Sequence, residues 1–245
     1  MITPALLAEL APTGTLRAGI NYGNPVLVQR NPQTGELSGT APDLAREFAR
    51  TVGLPIEIIP YDGAGKIADC ARTGAWDIAF LAVDPLRAAV IQFTAPYVEI
   101  EGCYLVPADS PITGLTGVDK PGVRVAATAK SAYALYLARA LKHATLVSAD
   151  DYSASVNLLL RNKADVLAGV RQPVLGTAAS LPGSRVLEGR FMAILQASGV
   201  PAGRKAAARC LGEFIEQAKA SGFVARALAK SGNAKVTVAP PSPVP

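Results

Sequence analysis

The feature that most constrains the fold of this chain is an alternation of strand-like and helix-like segments that occurs twice. Apolar runs typical of strands cover residues 16–20, 56–59 and 76–83, and segments with helical apolar spacing separate them. The same order of elements returns over residues 123–170. Because such alternation is typical of parallel sheets with crossover helices, we predict an α/β protein with two halves. Each half would be a mostly parallel sheet flanked by helices.

Capping and turn residues predict where the other elements begin and end. Thr40 is placed to cap a helix that ends at Gly53. The remaining predictions are helices over 63–73, 131–141, 150–161, 204–219 and 223–230, strands over 123–127, 145–148 and 165–170, extended crossings over 98–107 and 191–197, and a turn over 31–35. We expect the proline-rich tail from Val236 onward to be a surface strap or disordered.

Composition excludes several classes of protein. Hydrophobic residues make up 50% of the 245 positions, which excludes intrinsic disorder. No run without charged side chains reaches the about 18 residues of a membrane-spanning helix. The net charge is +5, but lysine and arginine are scattered, so we expect no nucleic-acid binding and only an attraction for small anions. Residues 1–16 lack the basic start and apolar core of a secretory signal, which leaves open a mature exported chain or a cytoplasmic one.

The sequence contains no recognisable catalytic or metal-binding motif. Cys70, Cys103 and Cys210 are isolated, a spacing that favours neither a disulfide framework nor a zinc site. His143 is the only histidine and stands at a predicted helix end, without a G-x-S-x-G elbow or a phosphate-binding loop to accompany it. We therefore expect no catalytic residue, no metal and no cofactor.

Polar side chains follow the predicted strands, at the edge where open α/β sheets bind ligands. Arg87 follows a strand end and can present its planar guanidinium to a carboxylate. Lys130 and Ser131 open a helix, where backbone N–H groups favour an anion. A cleft between the halves would bring together these residues and Asn21, Tyr22, Tyr61, Ala82, Asp84, Glu101 and Arg171.

Each of these residues also has a purely structural interpretation. Arg87 can be an exposed arginine at a helix start, and Ser131 can be an ordinary helix cap. Tyr22 and Tyr61 can pack against the protein instead of a ligand. Glu101 can face a cationic group of a ligand or be solvated. The pattern alone leaves both interpretations open.

The ordered motifs of the chain resemble those of the extracellular solute-binding proteins, family 3, which serve ABC transporters of polar amino acids. The resemblance runs from about Gly14 to Gly232. It is carried by TLRAGI at 15–20, GTAPDLA at 39–45, GAWDIA at 74–79, DPLR at 84–87, FTAPY at 93–97, ADV at 164–166 and ASG at 220–222. Each piece is short, but their order is specific to the family.

The resemblance implies a two-lobed periplasmic-binding-protein-like fold of type II. One lobe would comprise residues 1–100 and 197–245, the other 101–196, with hinge crossings near 98–106 and 191–197. Such a protein closes on a small solute and passes it to a membrane permease. The resemblance further implies a periplasmic location, and we expect a monomer.

The resemblance also assigns roles to individual residues. Arg87 matches the arginine that holds the α-carboxylate of the ligand. Lys130, Ser131 and Ala132 fall where the family often has Gly-Thr-Thr, which holds the same carboxylate. The aspartate that binds the α-amino group is replaced here by Val170, which Arg171 follows. We therefore predict a small carboxylate or dicarboxylate as the ligand, in preference to an α-amino acid.

Three alternatives remain beside this prediction. Glu101 or Asp84 would bind the amine of an amino acid if either took over the role of the missing aspartate. Cyclohexadienyl dehydratases resemble this family too, and Glu101 would then be a general acid toward prephenate or arogenate. A sensing module, cytoplasmic or fused to a receptor, is the third alternative.

Overall fold

The computed structural model describes residues 3–243, and its elements follow the predicted alternation. The strands are β1 (Leu16–Asn21), β2 (Gln29–Arg30), β3 (Leu37–Ser38), β4 (Ile56–Tyr61), β5 (Ile78–Ala82), β6 (Ile91–Val106), β7 (Arg124–Thr128), β8 (Thr145–Ala149), β9 (Val166–Val170), β10 (Arg185–Val186), β11 (Met192–Pro201) and β12 (Thr237–Val238). The helices are α1 (Pro4–Leu10), α2 (Thr40–Val52), α3 (Ala64–Asp69), α4 (Pro85–Ala88), α5 (Ala132–Ala140), α6 (Tyr152–Leu160), α7 (Arg171–Ser180), α8 (Lys205–Ala220) and α9 (Phe223–Lys230). The predicted α/β class is confirmed.

The chain divides into two compact units. The first comprises the residues up to Glu99 and those from Leu195 onward, and the second comprises Ile100–Ile194. The chain leaves the first unit within β6 and returns to it within β11.

The sheet of the first unit is built on three parallel strands. β1 pairs with β4 on one side, where Asn21 lies opposite Tyr61, and with β5 on the other, where Ile20 lies opposite Phe80. β11 continues the sheet by pairing with β5 in the antiparallel direction. Because the three parallel strands share one direction, their carboxyl ends lie at the same edge of this sheet.

Helix α2 begins at Thr40 as predicted, but Thr40 is its first helical residue, so the prediction that Thr40 is the cap is wrong. Gly39 is the capping residue, and its φ of 109° is a conformation that glycine adopts far more easily than other residues. A Cβ at this position would lie only 2.6 Å from the Leu27 carbonyl oxygen, which also accepts a bond from Ala41 N. Close packing of the preceding loop against the helix start therefore decides the cap.

Helix α3 is shorter than the predicted helix over 63–73. The Cys70 N–H donates to the carbonyl oxygens of both Lys66 and Ile67 at 3.2 Å, a tightening typical of a helix end. The Ile67 carbonyl also accepts a bond of 3.0 Å from the Trp76 indole, which is fully buried. The segment after Asp69 therefore turns to bring Trp76 against the helix.

The second unit repeats the parallel arrangement. β7 pairs in parallel with β8, where Thr128 lies opposite Ala149, and with β9, where Val125 lies opposite Val166. β6 pairs with β9 in the antiparallel direction. The core of this unit joins these strands to α6 and α7, and it includes Cys103, Leu105, Ala126, Leu159, Ala164, Leu167 and Val174.

Each unit holds an equivalent arginine–aspartate pair at the start of its sheet. Asp77 accepts bonds of 3.1, 2.9 and 2.9 Å from Arg17 N, Nε and Nη2. Asp165 accepts bonds of 2.8, 3.0 and 2.7 Å from the same atoms of Arg124. Asp77 is fully buried and also accepts a bond of 2.9 Å from Arg204 Nη1. The pair links β1 to the segment just before β5 in the first unit, and β7 to the segment just before β9 in the second.

Residues 236–242 of the tail form an ordered strap. Of the two predicted alternatives, a surface strap or disorder, the strap is confirmed for this segment. β12 pairs with Val98 and Glu99 of β6 in the antiparallel direction. Within residues 3–243, no helix has both the length and the apolar character that a membrane span requires.

Candidate functional site

Three of the predicted site residues lie together at the carboxyl ends of β1 and β4. Tyr22 N donates to Tyr61 O at 2.8 Å, and Asn21 Oδ1 accepts a bond of 3.0 Å from Gly23 N. The Arg30 guanidinium lies over the Tyr22 ring, 4.9 Å from its centre, at a distance typical of a cation–π contact. Hydrogen bonds thus fix the backbone at Asn21 and Tyr22, and the Arg30 cation lies beside the Tyr22 ring.

Tyr61 packs more deeply than its predicted role requires. Its ring lies against the cluster around Ile67 and Trp76, and burial raises the pKa of its hydroxyl, with a smaller contribution from Cys70. The Tyr61 side chain therefore packs against the protein, as the structural interpretation proposed. Its contact with Tyr22 is made by the backbone carbonyl.

Ala82, Asp84 and Arg87 form a second group, where β5 leads into α4. Asp84 caps α4 by accepting a bond of 2.9 Å from Leu86 N, and Arg87 Nη1 donates to Ala82 O at 2.7 Å. All three residues are nearly inaccessible to solvent, Arg87 at 3%. Arg87 is thus buried and is not the exposed arginine that the alternative interpretation proposed.

The electrostatics of Arg87 are those of a cation removed from water. Burial lowers the pKa of its guanidinium to about 10, an effect that the Asp84 carboxylate partly offsets. Burial removes the hydration that stabilises the charged guanidinium. An anion that contacts the guanidinium offsets this loss through charge attraction and hydrogen bonds. This position therefore favours a carboxylate group.

In the second unit, Ser131 caps α5 where the helix follows β7. Ser131 Oγ accepts a bond of 3.1 Å from Ala134 N, so its cap role is realised. Ala132 is buried, while Lys130 is exposed and has a φ of 56°. This left-handed conformation suits the glycine that the family resemblance places there. The three residues lie together at a helix start, where N–H groups favour an anion.

A chain of hydroxyl groups stands behind this helix start. Tyr133 Oη donates to Thr128 Oγ1 at 2.8 Å, and Thr128 Oγ1 lies 3.4 Å from Ser155 Oγ. Burial raises the pKa of Tyr133, which keeps its hydroxyl protonated and available as a donor. Spacing gave no indication of this group, because its members come from three separate segments.

Glu101 and Arg171 contact each other directly. Glu101 forms an ion pair with Arg171 Nε, and its other oxygen lies 3.8 Å from Arg190 Nη1. Arg171 Nη2 also donates to Gly189 O. With two arginines and one carboxylate, the cluster carries a formal charge of +1. Arg190 was missed by sequence reasoning, although it directly precedes the predicted crossing at Phe191.

The cationic side chains and helix N–H groups at these positions have the chemistry that suits an anion. Among residues 3–243, no three histidine, cysteine or acidic side chains stand close enough to hold a metal ion. A hollow of 370 Å³ on the first unit lies elsewhere, between α2 and α9, and it includes Arg46, Arg50 and Lys230 in its lining. None of the predicted site residues lines it.

Comparison with known proteins gives one family. The family described as bacterial extracellular solute-binding proteins, family 3, matches residues 16–234 of the chain. No curated protein sequence matches it.

Solved structures share the fold at low sequence identity. An amino acid ABC transporter substrate-binding protein from Streptococcus pneumoniae, bound to L-arginine, has a TM-score of 0.77 and 21% identity over 97% of this chain and 100% of its own. An ancestral amino acid-binding protein, a precursor of cyclohexadienyl dehydratase, has a TM-score of 0.75 and 21% identity over 91% and 97%. A histidine kinase sensor domain similar to periplasmic binding proteins has a TM-score of 0.77 and 18% identity over 92% and 98%. The fold is therefore that of the periplasmic binding proteins.

Proposed function

Because the chain belongs to the bacterial extracellular solute-binding proteins of family 3, we propose that it binds a small carboxylate-bearing solute and passes it to an ABC transporter permease. Its place of action would be the periplasm or the outer cell surface, as in the family. We assign the carboxylate contact in the first unit to Arg87, with Asn21 and Tyr22 shaping the surroundings.

The observation that carries the proposal is the burial of Arg87. A guanidinium at 3% exposure whose pKa burial has lowered to about 10 is stabilised by an anion. Hydrogen bonds between charged groups contribute about 1.5–3 kcal/mol each, and a carboxylate can accept two from one guanidinium.

The second unit supports the same ligand class by separate means. Ser131 and the N–H groups of α5 favour a carboxylate, and Lys130 adds a positive charge beside them. The Glu101–Arg171–Arg190 cluster adds a formal charge of +1. We propose that Ser131, Lys130 and Arg171 contact acidic groups of the solute.

The partners that an α-amino group would need are engaged elsewhere. Val170 stands where the family resemblance expects an aspartate. Glu101 is bound to Arg171, and Asp84 caps α4 while lying close enough to Arg87 to influence its pKa. Neither of these two carboxylates is uncommitted, so a carboxylate or dicarboxylate without an amine fits better.

Amino-acid binding is the second candidate, because a structural relative is bound to L-arginine. Pairs of compounds that differ only by the amino group separate the two candidates: succinate with L-aspartate, and glutarate with L-glutamate. L-Arginine and L-glutamine complete the panel.

The test is a thermal-shift measurement with this panel on the wild type and on Arg87→Met. A ligand at 100 times its dissociation constant stabilises the folded state by about 2.7 kcal/mol, which raises the melting temperature measurably. We expect succinate or glutarate to raise it more than the matching amino acid, and the effect to disappear in Arg87→Met. Lys205→Met, at an exposed position of α8, serves as the control and should behave as the wild type. Stabilisation by amino acids alone would replace the carboxylate proposal with the second candidate.

A further inference from the structure

The pairing of β6 with β9 inside the second unit brings Glu101 and Arg171 together. In this antiparallel pair, Gly102 lies opposite Val170. Glu101 directly precedes Gly102, and Arg171 directly follows Val170, so the two charged residues lie side by side at one end of the strand pair. Strand pairing therefore sets the distance between the Glu101 carboxylate and the Arg171 guanidinium.

The carbonyl of Gly189, which is the second acceptor of this guanidinium, is fixed to the same part of β6. On one side of Gly189, Leu187 N donates to Tyr104 O at 2.9 Å. On the other side, Phe191 N donates to Gly102 O at 3.0 Å, and the Phe191 ring stacks on the Tyr104 ring with their centres 4.3 Å apart. Both acceptors of the guanidinium are therefore carried by β6 or tied to it by backbone hydrogen bonds.

The two bonds engage one edge of the Arg171 guanidinium. Its Nε donates to Glu101 Oε2, and its Nη2 donates to Gly189 O. A guanidinium carries five N–H groups in a planar fork, so two acceptors on the Nε–Nη2 edge also fix the direction of the Nη1–Nη2 end. Neither of the two bonds uses Nη1. The Nη1–Nη2 end of a guanidinium can bind a carboxylate through two parallel hydrogen bonds.

We propose that Glu101 is a positioning residue: together with the Gly189 carbonyl, it holds Arg171 so that the Nη1–Nη2 end of the guanidinium receives a carboxylate of the solute. This role rests on the proposed function, in which Arg171 contacts an acidic group of the solute. Glu101 acts on the solute through Arg171 and does not touch it. An arginine that is already ordered loses less conformational freedom on binding, and the solute therefore binds more tightly.

The negative charge of Glu101 has the opposite effect, because it repels a carboxylate. Arg190 Nη1 lies 3.8 Å from the other Glu101 oxygen and offsets part of this charge. A single substitution that removed both the charge and the hydrogen bond would mix the two effects. Glutamine and methionine at position 101 separate them, since both lack the charge and only glutamine keeps an oxygen that accepts a bond from Arg171 Nε.

The test is calorimetric titration of succinate and of glutarate into full-length Glu101→Gln and Glu101→Met. The side chains of the Glu101–Arg171 pair are 39% and 27% exposed, so both variants should fold. We expect Glu101→Met to bind about three- to tenfold more weakly than Glu101→Gln, because the Arg171 side chain must then be ordered on binding. Equal affinities, or tighter binding by Glu101→Met, would overturn the positioning role.

Glu188 provides the matched control. It is an exposed carboxylate next to Gly189, so its removal changes the charge of the same loop. Glu188→Gln and Glu188→Met should bind succinate and glutarate with equal affinity. A difference between these two variants as large as that between the Glu101 variants would show that the effect does not come from Arg171.

Solvent exchange of the Arg171 Nε–H group, measured by NMR on the ¹⁵N-labelled chain, tests the orientation of Arg171 without a ligand. Its signal is the one that disappears in Arg171→Lys. We expect this hydrogen to exchange about fivefold faster in Glu101→Met than in Glu101→Gln, as the loss of one hydrogen bond predicts. Equal exchange rates would overturn the positioning role. If neither succinate nor glutarate binds the wild type, the proposed function fails, while the exchange measurement still decides whether Glu101 orients Arg171.

Discussion

The two arginine–aspartate pairs allow a prediction in which the same substitution has different consequences in the two units. Asp77→Asn removes the charge from a carboxylate that is fully buried and accepts four hydrogen bonds, three from Arg17 and one from Arg204. Removing one partner of a buried ion pair costs about 3–5 kcal/mol. The Arg17 and Arg204 side chains keep 18% and 22% exposure, so water compensates them in part. We therefore expect a loss of about 3 kcal/mol in the free energy of unfolding.

Asp165→Asn is the matched control, because Arg124 binds Asp165 through the same three atoms. Here the two side chains are 36% and 39% exposed, and exposed pairs contribute only about 0.2–1 kcal/mol. Urea denaturation followed by far-UV circular dichroism measures both losses, and the fluorescence of Trp76, the only tryptophan, follows the first unit separately. A loss for Asp165→Asn that equals or exceeds the loss for Asp77→Asn would refute the reasoning from burial.

Three further predictions follow from the described contacts. Asp119 accepts bonds from the N–H groups of Ala144, His143 and Lys142, and these bonds lower the pKa of its carboxyl to about 2. The ionised carboxylate therefore stabilises the folded state fully above the ordinary pKa of 3.8, and this stabilisation is lost as the pH falls through about 2. The difference in melting temperature between wild type and Asp119→Asn should stay constant from neutral pH down to about pH 5 and shrink toward pH 2; a constant difference would contradict this. Gly39→Ala should lower stability in urea by about 1–3 kcal/mol, because φ is 109° and the added Cβ meets Leu27 O at 2.6 Å; an unchanged midpoint would contradict it. Incubation with prephenate or arogenate should give no turnover above background, since Glu101 is held by arginines, and turnover that Glu101→Gln abolishes would show an enzyme.

The fold was predictable where the signal is local. The alternating residues of β1 and the apolar spacing of α2 are set by neighbours in the sequence, and the structure places both elements as expected. The cap of α2 was not predictable, because Thr40 has good capping chemistry while Gly39 is selected by the Leu27 carbonyl, which lies in another segment. The length of α3 depends in the same way on Trp76, which bonds to Ile67.

The candidate site was predictable as a set of positions but not as a set of contacts. Strand ends indicated Arg87 and Ser131, and the structure places both at those ends. The burial of Arg87 depends on the packing around it, and no spacing in the sequence encodes that packing. The pairing of Glu101 with Arg171 joins residues 70 positions apart, and sequence alone suggested each as a separate ligand contact.

The most direct test of the account is calorimetric titration of succinate and of L-aspartate into the wild type and Arg87→Met. The two compounds differ only by the amino group, and the variant removes only the buried guanidinium. The account predicts that succinate binds the wild type more tightly than L-aspartate does, and that succinate binding is lost in Arg87→Met. Tighter binding of L-aspartate, or binding of succinate that survives the substitution, would contradict the claim that Arg87 holds a carboxylate of an amine-free solute.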